Sequence, residues 1–230
     1  MSEFDAFSGH YDEDLDRLLS YVGADTLEFA RRKADRLAAL SLQYLGQPRE
    51  RRILDIGCGT GNVVCFLQDR FLEAVGGDVA HSLLVEARAK APRAQFVDLE
   101  ETSWPFSDAE FDVAFCACVW HHVSDAMIPA LCAQLHRVVR PGGLVVVFEH
   151  NPYNPITRKI VRECELDRDV ERLIPMRQVC QVFRQAGLEI VDKRYTTFFP
   201  GKLRVLFPLE EWLGWLPLGG QYVVAGRKAR

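Results

Sequence analysis

Three groups of residues in this chain have types and spacings that can do chemistry. The first is the run Ile53-Leu54-Asp55-Ile56-Gly57-Cys58-Gly59-Thr60-Gly61-Asn62. Glycines at 57, 59 and 61 let the backbone turn sharply and let a ligand press against bare main chain. The second is a pair of acids further on, Asp78 in Gly76-Gly77-Asp78-Val79 and Asp98 in Asp98-Leu99. A carboxylate at the end of a second strand, roughly twenty residues after a glycine loop, can accept both hydroxyls of a ribose. Loop and acid together imply an adenosine-type ligand. The dinucleotide fingerprint needs a glycine where this chain has Asn62, and Asp55 would repel a pyrophosphate. An acid at 55 can instead orient the loop or attract an ammonium group. The third group is histidine: of six in the chain, His121, His122 and His150 fall at two expected strand ends, and imidazole is the side chain suited to moving protons near neutral pH.

The elements that must position these groups follow from the hydrophobic rhythm. Asp25, with Glu28 three residues on, has the spacing of a capping box. It predicts a helix carrying Leu27, Ala30, Ala34, Leu37 and Leu45, ended by Gly46 and Pro48. Arg31, Arg32, Lys33 and Arg36 fill its other positions and read as a solvated face, with an acidic ligand as the alternative. From Arg52 onward short apolar runs alternate with helical stretches: runs at 52–56, 74–76, 94–97, 111–117 and 144–148, helices near 62–70, 81–91 and 126–140. Apolar strands alternating with helices are the pattern of a parallel sheet covered on both faces. Residues 188–196 and 221–225 read as two late strands, an antiparallel pair at one edge. The expectation is a three-layer α/β/α sandwich forming one domain: a helical lid over 1–48, a ligand-binding core over 49–150, and a cap with the final strands over 151–230.

The run from Asp55 to Gly61 resembles motif I of class I S-adenosylmethionine-dependent methyltransferases. Asp78 is similar to that family's ribose-binding acid, and Asp98-Leu99 to the position that meets the adenine edge. Trp104-Pro105-Phe106 before Phe111-Asp112-Val113, and Leu135-His136-Arg137-Val138-Val139-Arg140-Pro141-Gly142-Gly143, resemble the family's entries to the fourth and fifth strands. These cover about residues 53–150 in the family's order. The resemblance implies a Rossmann-like fold with a mostly parallel seven-stranded sheet and an antiparallel edge strand. It implies S-adenosyl-L-methionine as cofactor, held by Tyr11, Asp55, Gly57, Cys58, Gly59, Gly61, Asp78, Val79, Asp98, Leu99 and Cys116. Tyr11 with Asp12 resembles the start of the family's N-terminal lid; its alternative is an aromatic anchor for that lid.

Methyl transfer is an in-line displacement, and an oxygen acceptor also needs its proton taken. In small-molecule members of the family a His of the "HH" segment is often the base. His121 is the expected base by a narrow margin over His122, which on the bland reading caps the next helix. His150 is a second base, a substrate-orienting group, or a loop closer stiffened by Pro152 and Pro155. The expected acceptor is a hydroxyl of a sugar or specialised metabolite, with nitrogen or carbon acceptors as the alternative. A nicotinamide-dependent oxidoreductase and a catalytically silent cofactor-binding partner are the rivals.

Composition narrows the remaining classes. Of 230 residues, 48% are hydrophobic and 26% charged, which excludes a mainly disordered chain. A net charge of −4 offers no global field for nucleic acid, and none is expected as partner. Asn151-Pro152-Tyr153 lacks the second proline and the strand position of the adenine-methylating motif, so it reads as a loop shaping the pocket. No stretch reaches the ~18 apolar residues needed to span a bilayer, and the N-terminus is acidic where a signal peptide would be basic. A cytoplasmic protein without stable membrane insertion is expected. Seven cysteines lack metal-site spacing and read as reduced thiols, with no metal ligands assigned. In the aromatic tail Leu203, Leu206, Phe207 and Leu213 can form one stripe, read as core or homodimer contact, with a pocket wall or a lipid-bearing acceptor as alternatives. The charged stretch 156–172 reads as a solvated face, with Arg158 or Arg162 pairing an acidic acceptor as its alternative.

Overall fold

The computed structural model describes residues 9, 11–20, 23, 25–100, 103–167, 170 and 172–230, apart from the side chains of Tyr11 and Leu166. Seven strands form one sheet: β1 Arg52–Ile56, β2 Glu73–Asp78, β3 Gln95–Asp98, β4 Phe111–Ala117, β5 Val139–His150, β6 Leu188–Thr196 and β7 Gln221–Lys228. Their order is β3-β2-β1-β4-β5-β7-β6. Pairings from β3 through to β5 are parallel, whereas β7 runs antiparallel to both β5 and β6. The reversed strand is therefore hydrogen-bonded on both sides, and β6 takes the edge.

Side-chain alternation along the strands builds a core on each face. Leu54 and Ile56, Ala114 and Cys116, Val145 and Val147, Tyr222 and Val224 face one cluster. Ile53, Val113, Phe115, Leu144, Val146, Phe148, Val223 and Ala225 face the other. The first cluster is closed by α5 (Ile128–Val138) and α7 (Met176–Gln185), the second by α2 (Thr26–Tyr44), α3 (Val64–Leu67) and α4 (His81–Lys90). α1 (Tyr11–Leu19), α6 (Pro155–Glu163) and α8 (Glu210–Leu213) complete the helices among the described residues. The Asp25 cap forms as its spacing predicts, accepting from the Glu28 amide at 2.7 Å.

Four expectations need correction. The helix near 62–70 is only the four-residue α3 between turns, and the helix near 126–140 yields to β5 at Val139. The basic face of α2 is not simply solvated: Arg32 pairs with Glu210, and Arg36 with Asp192 at 2.5 Å. The stretch read as a stripe in the tail does not pack on the sheet. A 3₁₀ segment spans Gly201–Leu209 with no buried residue, and Leu203 stays 44% exposed. What is buried instead is Glu210, which accepts from the Thr197, Phe198 and Phe199 amides as well as from Arg32. A buried carboxylate with four donors is costly to remove, because its partners lose their compensation. Glu210→Ala is expected to destabilise the fold by about 3–5 kcal/mol, read as a lowered midpoint in urea; an unchanged midpoint would show that the tail is held by other contacts.

Candidate active site

The glycine loop leaves β1 and turns beneath the end of β2. Gly57 and Gly61 hold φ of +74° and +75°, which side-chain-bearing residues avoid. A methyl at Gly57 would also sit 2.5 Å from Val119 Cγ2, and one at Gly61 2.9 Å from Ala87 Cβ. The Gly59 amide donates to Asp78 Oδ2 at 2.7 Å, and the Ala80 amide to Asp78 Oδ1 at 2.9 Å. The acid thus ties the loop to the start of α4. Buried Asp55 lies behind it, and its Oδ1 has no hydrogen-bond partner among the described residues. Burial, and next the Asp78 charge, raise the Asp55 carboxyl well above the usual range, against the charge of Lys33.

The other expected ligand residues divide. Cys58 is buried at the loop, and Leu99 packs over Gly77. Val79 is 38% exposed. Asp98 is open to solvent and meets His81 Nδ1 at 2.6 Å. Cys116 is fully buried in the first core cluster, because strand alternation turns it toward α5 and away from the loop. The Tyr11 side chain lies outside the described residues. Its neighbour Asp12, named from the sequence only as part of the lid motif, accepts from Asn62 Nδ2 at 2.7 Å, Thr60 Oγ1 at 3.1 Å and Lys90 Nζ at 2.6 Å. These contacts fasten α1 onto the glycine loop.

At the ends of β4 and β5 the three expected histidines come together. Cys118 adopts a left-handed φ of 59°, a strained conformation for a non-glycine residue. The chain then turns into the 3₁₀ segment Trp120–His122, which aims the His121 ring at Glu149. His121 Nδ1 lies 2.7 Å from Glu149 Oε2, and its Nε2 lies 3.2 Å from Asp167 Oδ1. Glu149, fully buried, also accepts from the Trp120 amide at 2.8 Å. Burial alone would lower the His121 pKa; Glu149 and Asp167 outweigh it and hold the ring well above its ordinary value. His121 is therefore an imidazolium with both nitrogens engaged. His122 Nε2 approaches the same Asp167 oxygen at 3.3 Å.

His150 stands apart in charge. Its ring centroid is 5.0 Å from that of His121, and burial, with the His121 charge next, pushes its pKa down to about 4. A neutral ring and a charged ring thus sit side by side. One ring nitrogen each from His121 and His150 and an Asp167 oxygen lie within 4.8 Å of one another. That set could hold a metal ion, but the hydrogen bonds around His121 already account for the grouping. Asp167, read from sequence as part of a solvated face, is a site residue. Burial opposes its ionisation, yet hydrogen bonds from His121 and His122 hold its carboxyl far below the usual range.

His150 also lines a cavity of about 370 Å³ between α1, α2, α6 and the segment 197–202. Leu19, Phe29, Ile156, Ile160, Phe198 and Phe199 make its apolar walls, and Glu28, Arg32, Asn154, Lys202 and Gln221 its polar edge. Asn151 shapes this region from outside: its Nδ2 donates to the Pro217 and Gly219 carbonyls.

A profile described as a methyltransferase domain matches residues 53–143, the stretch from β1 into β5. Over that stretch the chain carries a methyltransferase domain. It is 35% identical over 144 residues to a demethylmenaquinone methyltransferase of Thermus thermophilus, covering 60% of each chain. It is 27% identical over 198 residues to a malonyl-[acyl-carrier protein] O-methyltransferase of Serratia marcescens, covering 83% of this chain and 72% of that one. The chain spans about three-fifths of the length of curated relatives such as the Thermus protein. A TehB-like methyltransferase from Corynebacterium glutamicum superposes with a TM-score of 0.66 at 20% identity, over 98% of this chain and 99% of that one, which shows the shared fold.

The residues present fit S-adenosylmethionine. It brings two positive centres, a sulfonium and an ammonium, to a site where Asp55 holds an unpartnered buried oxygen. Asp78 ends β2 beside the loop, its carboxylate oriented by the Gly59 and Ala80 amides. A nicotinamide dinucleotide would instead bring a pyrophosphate toward the same acids.

Proposed function

We propose that this protein methylates a hydroxyl of a small molecule held in the cavity beside His150, with His150 as proton acceptor. The carrying observation is the neutral His150 ring on the cavity wall, next to a His121 whose two nitrogens are already engaged. S-adenosylmethionine supplies an electrophilic methyl group bound to a sulfonium. A His150 ring nitrogen takes the O–H proton of the acceptor; bound S-adenosylmethionine would give its methyl to that oxygen and would keep the S–C electron pair on sulfur. A base of pKa about 4 suffices, because an oxygen becoming an ether oxonium is a far stronger acid. His121, Glu149 and Asp167 hold the His150 surroundings in shape.

The name of the Serratia relative supports an oxygen acceptor. The mixed cavity, apolar along α6 and Phe198–Phe199 and polar at Glu28, Arg32 and Lys202, favours an acceptor with an apolar body and a few hydroxyls, a specialised metabolite or a sugar derivative. Incubation with isotopically labelled S-adenosylmethionine and a metabolite extract, followed by mass spectrometry, tests the reading; label appearing only on nitrogen or carbon would overturn the oxygen assignment. On the cofactor side, Asp78→Ala is expected to weaken S-adenosylmethionine at least tenfold by calorimetry, the scale of losing a charged acceptor. An unchanged dissociation constant would remove Asp78 from the ribose.

A further inference from the structure

The segment from Gly201 to Leu218 inverts the usual rule of apolar inside and polar outside. Its Glu210 is buried, while Val205 is 80% exposed, Trp212 81% and Trp215 76%. Large apolar residues recur at every third position, Leu203 at 44% exposed, Leu206 half-buried, Leu209 at 51%, then Trp212, Trp215 and Leu218 at 64%, with Val205 exposed between them. The 3₁₀ segment Gly201–Leu209 is kinked at Leu203, and beyond the kink Leu206 and Leu209, three apart, lie on one side of it.

The backbone behind these side chains is firmly anchored. Glu210 holds three amides and Arg32, Gly214 accepts from the Tyr195 amide at 2.8 Å, and Asn154 donates to the Leu218 carbonyl at 2.7 Å. A buried ion pair is thus used to present apolar side chains to the outside.

We infer that this apolar ridge docks the protein peripherally on a membrane bearing anionic headgroups. Charge selects the occupant. Lys202 and Arg204 are exposed beside the ridge, while its two acids are neutralised, Glu210 by Arg32 and Glu211 by Arg194. The outward face is cationic on a chain whose net charge is −4. Tryptophan suits the headgroup layer, where an indole has both an apolar and a wet side, and the lysine and arginine that flank Leu203 suit its anionic phosphates. Seven apolar side chains, Val205 included, are too few for a second copy, since a stable protein interface engages about 20–30 residues a side. Among the described residues no helix is long and apolar enough to cross a membrane, and docking needs none. Gly201 and Lys202 belong both to this segment and to the cavity wall, so the docked protein holds its cavity at headgroup depth. The docking itself does not depend on which acceptor the cavity takes.

The test is flotation of the full chain with phosphatidylcholine vesicles, pure or with phosphatidylglycerol added. Wild type is expected to float with the anionic vesicles and release at high salt, its tryptophan emission moving to the blue. Trp212→Ser with Trp215→Ser is expected to lower the bound fraction at least tenfold while thermal stability and S-adenosylmethionine affinity stay unchanged. Failure of wild type to float at about 0.1 M salt, or flotation of the double variant like wild type, would overturn the inference. So would a dimer by light scattering that the double variant abolishes, which would assign the ridge to a second copy.

Discussion

Replacing His150 with alanine is expected to lower kcat about 10²–10⁴-fold, the usual contribution of a positioned base, with S-adenosylmethionine affinity unchanged. The separation follows from where the ring sits: it lines the cavity walled by α1, α2 and α6, whose lining includes none of the glycine-loop residues 57–61. Full turnover in the variant would reject His150 as the proton acceptor. The pH profile gives an independent check. His150 is neutral above about pH 4, so the acid limb of kcat should fall near that value rather than near the ordinary imidazole range of about 6.5. The sign of the stability effect follows as well. The unfolded ring binds its proton near 6.5 and the folded ring only near 4, so the unfolded state holds more protons between those values and stability drops as pH falls through that window.

The second large effect is expected at Glu149. This carboxylate is fully buried and serves the His121 ring, the Trp120 amide and the His150 amide together. Glu149→Ala strands an imidazolium and two amides, at a cost of about 3–5 kcal/mol. For a chain of this size that is a fall in melting temperature of roughly 6–20 °C. Glu149→Gln, which keeps an acceptor, should recover part of it. In the glutamine variant the His121 ring loses its main support against burial, so its proton should leave at a lower pH, visible in ring nitrogen shifts. A melting temperature within a degree of wild type for the alanine variant would show that the pair contributes nothing net. The pair also has its own pH window. His121 stabilises the fold below about 6.5 and loses that contribution as pH rises through its raised folded value; Glu149 contributes above about 4.5 and loses it on acidification through its lowered one.

The glycine loop and its acid were legible in the sequence because their geometry is local. Gly57, Gly59 and Gly61 are adjacent to Asp55, and Asp78 is reached across one helix and one strand, so spacing carries the geometry. The strand alternation was equally readable, since period two sorts Leu54 from Ile53 without further information. The acceptor half was less so. Asp167 reaches His121 only through tertiary folding of the stretch after α6, and its charged neighbours Arg162, Glu163 and Glu165 look like any solvated helix. Glu149 beside His150 was visible as residue types, but nothing in the spacing tells that one ring would be charged and the other neutral. Burial and partner count decide that. Cys116 and Asp12 went opposite ways for the same reason: strand phase hides the first in the core, and a lysine 78 residues away draws the second to the loop.

The position of β7 has a consequence for synthesis. The strand that carries Glu149 and His150 at its end, β5, pairs on one side with β4 and on the other with β7, which leaves the ribosome after β6. While the chain emerges, β5 therefore presents an open edge and β6 has no hydrogen-bonded neighbour in the sheet. The glycine loop can be complete at that stage, because β1, β2 and β4 are already in place. The acceptor side cannot, since His150 pairs with Gln221 and Asn151 with the Gly220 carbonyl. In chain order the strands that frame the glycine loop thus come before the strand that closes the end of β5 around His150.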